Sequence, residues 1–374
     1  MKSGWCIGLM TGTALDGEVD MALLKTDGKT IDEFGVFKVN RYPNILKKDL
    51  SDCFYEAQEW NFRGEKPLSF EKLENRITEF QSEAVLQLLK ENSLKKNSIN
   101  VVGFHGHTIL HRPPRDNHEG KTLQIGNGIL MAKRLGIPVA YNFRSRDVRE
   151  GGHGAPLCPI YHNCLMNQIE IKKRTAVLNL GGVANITYNS FGNDLIAFDT
   201  GPANAPINDF IRSLGLGDMD INGEIASRGL VDEEKLKALL TNPYFSLPYP
   251  KSLDRFDFSQ DLAKGLSPEN GAALLTALVA SSVCKALDLL PERPEVIILC
   301  GGGRKNLTVV NELEKRAKVI VKLAEDFGWR GDAIEAECFA FLGSRVINRL
   351  PISFPNTTGA KKPLTGGLVA IPSK

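Results

Sequence analysis

Three short stretches rich in glycine directly follow apolar, strand-like runs: "MTGTALDG" (10–17), "FDTGPANA" (198–205) and "LCGGGRKN" (299–306). The first two add threonine and aspartate. Backbone N–H groups, a hydroxyl and a carboxylate at one turn suit a phosphate and its metal ion. The second and third stretches lead into helix-like segments, whose positive ends would favour an anion further. Taken alone, "IGLMTGTALDGEVDMALLKTDG" (7–28) reads first as a plain hairpin, with Ile7, Leu9, Val19, Met21 and Leu23 on its strands. Three such turns in one chain shift the balance towards phosphate. None has the G-x-x-x-x-G-K-[ST] spacing, and no G-x-G-x-x-G follows the first strand, so neither a P-loop nor a dinucleotide site is indicated.

A fourth stretch, "YNFRSRDVREGGHGAPLCPIYH" (141–162), has a strand ending in Arg144, Arg146 and Asp147, then Gly151-Gly152-His153-Gly154. It reads either as a surface salt-bridge loop or as a catalytic turn, with Asp147 a general base and an arginine keeping it ionised. In "FHGHTILHRP", His105, His107 and His111 invite a metal reading. No carboxylate or thiolate cluster follows closely, so substrate or structural contacts are the stronger alternative to zinc.

The elements that must position these residues occur twice. The first third runs β-β-β-α-β-α-β, ending with the helix "QIGNGILMAKRLG" and the strand "IPVAYNF". The order begins again at "TAVLNLGGVANITYN", followed by "DLIAFDTGP", "APINDFIRSLG", an apolar helix capped by Ser267, the strand "EVIILCGGG" and a last long helix. This is one divergent internal duplication: two α/β halves with mixed sheets and a cleft between them. The expected domains are 1–140 with about 345–374, and 141–344.

At 374 residues, 42% hydrophobic and 24% charged, the chain has the composition of a two-domain globular protein. A net charge of +2 argues for neither nucleic acid nor an anionic membrane as partner. The seven cysteines form no C-x-x-C pair and read as thiols. With no signal-like start and no apolar run of transmembrane length, the expected location is cytoplasmic.

Together "GLMTGTALDG", "FHGHTILHRP", "TLQIGNGILMAKRLGIPVAYNFRSRDVREGGHGAP", "LNLGGVANIT", "FDTGPANAPINDF", "PKSLDRFDF" and "CGGGRKN" resemble, in order, the anhydro-N-acetylmuramic acid kinase family. That resemblance implies the actin-like, sugar-kinase ATPase superfamily, with two ribonuclease-H-like domains around an ATP cleft. It implies that water opens the 1,6-anhydro bond while ATP phosphorylates O6, giving N-acetylmuramic acid 6-phosphate in cell-wall recycling. Carried over by motif, Asp147 is the catalytic residue. ATP and its phosphates fall on Gly12, Thr13, Ala14, Asp16, Gly17, Asp199, Thr200, Gly201, Asn204, Gly301, Gly302, Gly303 and Asn306. Substrate contacts fall on His105, His107, Arg144, Gly152, His153 and Glu335. Mg2+ is expected to ride on ATP phosphates and water, with Asp16 and Asp199 as indirect or single ligands. The expected partners are ATP and an anhydro amino sugar, with a homodimer left open.

The chain departs from the family's pattern at Ala14, at Glu18, at Asn142 (for Asp), at His153 (for Gln) and at Ala203 (for Gly). Ala203 matters most, because glycine there could serve a positive φ or a close phosphate approach. Two other readings stay open: a kinase of a different sugar or carboxylate, and a non-catalytic ATP-binding switch.

Overall fold

A computed structural model describes residues 2–11, 17–114, 118–171, 173–189 and 195–372. The chain forms two compact units, Met1–Leu165 with Ala333–Lys374, and Met166–Asp332. In the first unit the strands are β1 (Gly4–Met10), β2 (Glu18–Thr26), β3 (Ile31–Arg41), β4 (Ile99–Phe104), β5 (His107–Arg112), β6 (Lys121–Ile125) and β7 (Val139–Tyr141). The second unit supplies β8 (Thr175–Leu180), β9 (Val183–Asn189), β10 (Leu195–Pro202), β11 (Val296–Cys300) and β12 (Ile320–Leu323). The chain then returns to the first unit, where β13 (Leu368–Ala370) pairs antiparallel with β7.

The duplication read from the sequence is visible in the strand order. The first sheet runs β3-β2-β1-β4-β7 with β13 at its edge, and the second runs β10-β9-β8-β11-β12. In each, the second strand of the unit is antiparallel to its neighbours and, apart from the antiparallel edge strand β13, the remaining pairings are parallel. Numbered within a unit, both read 3-2-1-4-5, the arrangement of a ribonuclease-H-like fold. The opening hairpin is present, with Met10 opposite Asp20 and Gly4 opposite Thr26. The pair β5–β6 stands apart as a two-stranded sheet.

Local rules explain the elements between. Asn127 caps the helix Gly128–Leu135 by accepting from Leu130 N, and Gly136 ends it at φ 68°. Ser267 caps Pro268–Leu287, with proline in the first turn. That helix has the length and apolar character to cross a membrane, which the sequence reading did not credit. Its apolar residues instead fill the core of the second unit, with Leu274, Leu275, Leu278, Val279 and Val283 buried. Asn44–Trp60 also forms a helix that periodicity did not single out.

The unit boundaries differ from the expected ones, because 141–165 and 333–344 belong with the first unit. For 333–344 the cause is close packing of the helix Ile334–Ile347 on β1 and β4. A Cβ at Gly8 would sit 1.8 Å from the Ala336 carbonyl oxygen, and one at Gly103 would sit 1.9 Å from that of Phe339. Only glycine allows backbone to approach backbone this closely.

Four buried histidines of the first unit, His105, His107, His111 and His162, are held neutral. Burial lowers His107, His111 and His162 to about 3, and burial together with the Arg144 charge holds His105 well below its usual value. In the unfolded chain each takes up a proton near pH 6.5, whereas the folded chain refuses it until far lower pH. Stability should therefore fall as pH drops below about 6.5, by up to about 1.4 kcal/mol per pH unit for each histidine. Thermal melts between pH 7 and 5 check this; a melting temperature flat across that window would contradict it.

Candidate active site

In each unit the chemically suggestive stretches gather at one end of the sheet. β1, β4 and β7 are parallel, so the segments after Met10, Phe104 and Tyr141 leave from the same edge. β8 and β11 are parallel and β10 runs with them, so the turns after Leu180, Pro202 and Cys300 do likewise. The carboxyl ends of parallel strands are where α/β folds collect ligands.

Asp147 is the centre of the first unit's cluster. It lies within a short helix, Ser145–Arg149, rather than at the strand end that the sequence suggested, and it is 1% exposed. Its Oδ2 accepts from Gly154 N at 2.7 Å and its Oδ1 accepts from the Thr358 hydroxyl at 2.7 Å. Its backbone carbonyl accepts from Gly152 N at 2.8 Å, folding the glycine turn over the side chain. A Cβ on Gly152 would fall 2.3 Å from Oδ2, so glycine is required for the carboxylate to sit there.

The arginines serve the surrounding frame. Arg144 donates from Nε (3.2 Å) and Nη2 (3.0 Å) to His105 Nε2, and from Nη1 to the Gly154 carbonyl at 2.8 Å. Arg146 donates to the carbonyl and hydroxyl of Thr365. The expectation that an arginine is paired with Asp147 is thus replaced by neutral donors, a hydroxyl and an amide. His105 Nδ1 lies 2.8 Å from the Gly106 carbonyl, which can only accept, so the proton is assigned to Nδ1 and Nε2 is free to receive the guanidinium. The depressed basicity of His105 follows from burial first and then from Arg144.

The other substrate candidates divide. His153 joins the cluster through its backbone, donating to the Thr358 carbonyl at 2.6 Å. Glu335 opens the helix Ile334–Ile347; burial first, then Cys158 and Glu335, push the Cys338 thiol up, and Arg144 opposes them. His107 turns to the scaffold: Nε2 lies 3.1 Å from the Tyr42 hydroxyl, itself bonded by Gln81. Gly12, Thr13, Ala14 and Asp16 lie outside the described residues. The flanks of that turn are fixed, with the Thr11 hydroxyl donating to the Gly106 carbonyl and the Gly17 carbonyl accepting from Tyr42 N.

In the second unit, Asn204 and Gly301–Gly303 meet. Gly301 adopts φ 75°, a Cβ on Gly303 would lie 2.9 Å from Asn204 Oδ1, and one on Gly302 would lie 3.9 Å from Asn204 Nδ2. Asn306 caps the helix Leu307–Ala317. One expectation changes here. The amides of Ala203, Asn204 and Ala205 donate to the carbonyls of Gly181 and Gly182, so this helix start does not offer those N–H groups to an anion. Thr200 and Asn204 likewise bond the carbonyls of Ala184 and Leu180. Asp199 is held from three directions: Oδ2 accepts from Leu253 N, its N–H donates to the Lys251 carbonyl, and its carbonyl accepts from the Tyr244 hydroxyl. The buried Lys251 ammonium lies over the Tyr244 ring, and burial lowers it to about 8 against the opposing pull of Asp199.

The family model for anhydro-N-acetylmuramic acid kinase matches residues 4–372. The chain belongs to the anhydro-N-acetylmuramic acid kinase family. A relative of that name from Brucella anthropi is 53% identical over 98% of this chain and 99% of its own length. Another, from Mesorhizobium japonicum, is 53% identical over 99% of this chain and all of its own. A third, from Jannaschia sp., is 50% identical over 98% and 97%.

Set against the family pattern, two departures have a structural account. Ala203 adopts φ −132°, so no glycine is needed for a left-handed backbone. Asn142 adopts φ 54°, a region that asparagine and aspartate both tolerate, so either residue serves there. Sequence reading missed Thr358, Lys251 and Arg304. Arg304 donates to the Gly301 carbonyl and is itself held by Glu325 and Asp332. Nothing local marks Thr358, which lies 211 residues from its partner Asp147.

Gly152→Ala should displace the Asp147 carboxylate and lower turnover by about 100-fold without unfolding the protein. Steady-state kinetics with circular dichroism check this, and a variant turning over like the parent would contradict the close contact.

Proposed function

We propose that the protein uses water to open the 1,6-anhydro ring of anhydro-N-acetylmuramic acid and transfers the γ-phosphoryl group of ATP to O6. The product is N-acetylmuramic acid 6-phosphate, and the work belongs in the cytoplasm, within cell-wall recycling. The family match favours this over another sugar kinase or an ATP-driven switch. The observation that carries the chemistry is the buried Asp147 carboxylate, clasped by two neutral donors beneath a glycine turn.

Water is a weak nucleophile, and attack at an acetal carbon needs a base to take its proton as the bond forms. Asp147 supplies it. The water oxygen bonds C1, the C1–O6 bond breaks, O6 bonds the γ-phosphorus, and ADP leaves with the electrons of the broken P–O bond. O6 passes straight to phosphorus, so no second carboxylate is required to protonate it, in contrast to the paired acids of glycosidases. Each donor occupies one lone-pair direction of its carboxylate oxygen, leaving capacity to receive the water proton. Arg144, His105, Gly152, His153 and Glu335 frame the sugar, with His107 bracing them from behind.

Thr200, Gly201, Asn204, Gly301 to Gly303 and Asn306 form the nucleotide side of the second unit, where the Asn204 amide stands beside Gly302 and Gly303. Gly12, Thr13, Ala14, Asp16 and Gly17 are assigned to the phosphates on their motif alone. Mg2+ neutralises phosphate charge when bound. Mg2+ dehydrates reluctantly, so the ion is expected to ride on phosphates and water rather than in a cage of side chains. Asp199 and Asp16 are the two candidates for a single or water-mediated contact with the ion.

With purified protein, ATP, Mg2+ and the anhydro sugar, phosphorylated sugar should form. Asp147→Asn should cut turnover by about 10²–10⁴-fold while ATP binding persists. Near-parental turnover in that variant would remove Asp147 as the base.

A further inference from the structure

The C-terminal segment carries a residue that the proposed chemistry depends on. Thr358 is fully buried and ends the short helix Pro355–Thr358. Its hydroxyl has two acceptors within reach, Asp147 Oδ1 at 2.7 Å and the Phe354 carbonyl at 3.5 Å. Within a helix such a hydroxyl would turn back on its own chain. Here the shorter bond to the carboxylate wins, as expected for a charge-assisted contact. The Thr358 carbonyl meanwhile accepts from His153 N at 2.6 Å.

One residue thus ties both the carboxylate and the turn that covers it. The loop presenting it is closed at its base, where Ile352 N and Ser353 N donate to the Leu364 carbonyl and Leu364 N donates back to that of Ser353. Gly359, at φ 81°, ends the helix.

We propose that Thr358 is a positioning residue for the reaction, its hydroxyl fixing the Asp147 carboxylate in the orientation that receives the proton of the attacking water. The proposal rests on reading Asp147 as the base. A carboxylate held by one donor instead of two can rotate about its Cβ–Cγ bond, and small misplacements of a reacting group are costly.

The test compares Thr358→Val, which keeps the shape and loses the donor, with Thr358→Ser, which keeps the donor. Thr358→Val should lower kcat by about 10–100-fold. KM for ATP and for the sugar should stay within about twofold, because the one proton of the hydroxyl is directed at Asp147. Thr358→Ser should recover most of the lost kcat. Stoichiometric binding of a non-hydrolysable ATP analogue and an unchanged melting temperature exclude loss of folded protein as the cause. Asp147→Asn, run alongside, separates the two readings. If it collapses turnover while Thr358→Val keeps parental kcat, or if Thr358→Ser is as impaired as Thr358→Val, the positioning role falls and the base stands. If Asp147→Asn turns over normally, both fall.

Discussion

The fold depends on one close contact: the backbone of the helix Ile334–Ile347 lies directly against β1 and β4, over Gly8 and Gly103. A methyl group at either glycine would meet a carbonyl oxygen at less than 2 Å. This contact brings the end of the chain back to the first unit after the whole of the second has been made. The consequence reaches the candidate active site, because the same returning segment carries Glu335 on its first turn and Thr358 further on. Without that return Asp147 would lack one of its two donors.

Charge in the first unit's site is managed by keeping most groups neutral. Buried ionised groups are expensive unless satisfied. His105 solves this by remaining neutral, giving its proton to a backbone carbonyl and its lone pair to Arg144. Arg144 remains charged and spreads its donors over His105 and the Gly154 carbonyl. Asp147 faces an amide and a hydroxyl. The second unit manages the same problem differently, setting the Lys251 ammonium near Asp199 and stacking it on aromatic rings.

Much of the architecture was legible because it is local. Alternation marked β1 and β2, the cap at Ser267 marked its helix, and the Gly-rich turns pointed to strand ends that the parallel pairings bring to one edge. The duplication was legible as an order of elements and reappears as two identical strand orders. What escaped was non-local. The assignment of 333–344 to the first unit depends on glycines more than 200 residues away, and Thr358 looks ordinary until the fold sets it beside Asp147. The amides at 203–205 carried a misleading signal, since their engagement by Gly181 and Gly182 is set by the neighbouring strand turn. The resemblance carried the reaction, which no spacing rule could have supplied.

The account's central claim is that water, deprotonated by Asp147, attacks C1 of the anhydro ring while O6 goes to phosphorus. The direct measurement is a single turnover in ¹⁸O-labelled water, with the product analysed by mass spectrometry before its anomeric hydroxyl exchanges with solvent. The account predicts one heavy oxygen at C1 and none in the phosphate group. Label in phosphate, or an unlabelled sugar phosphate, would contradict it.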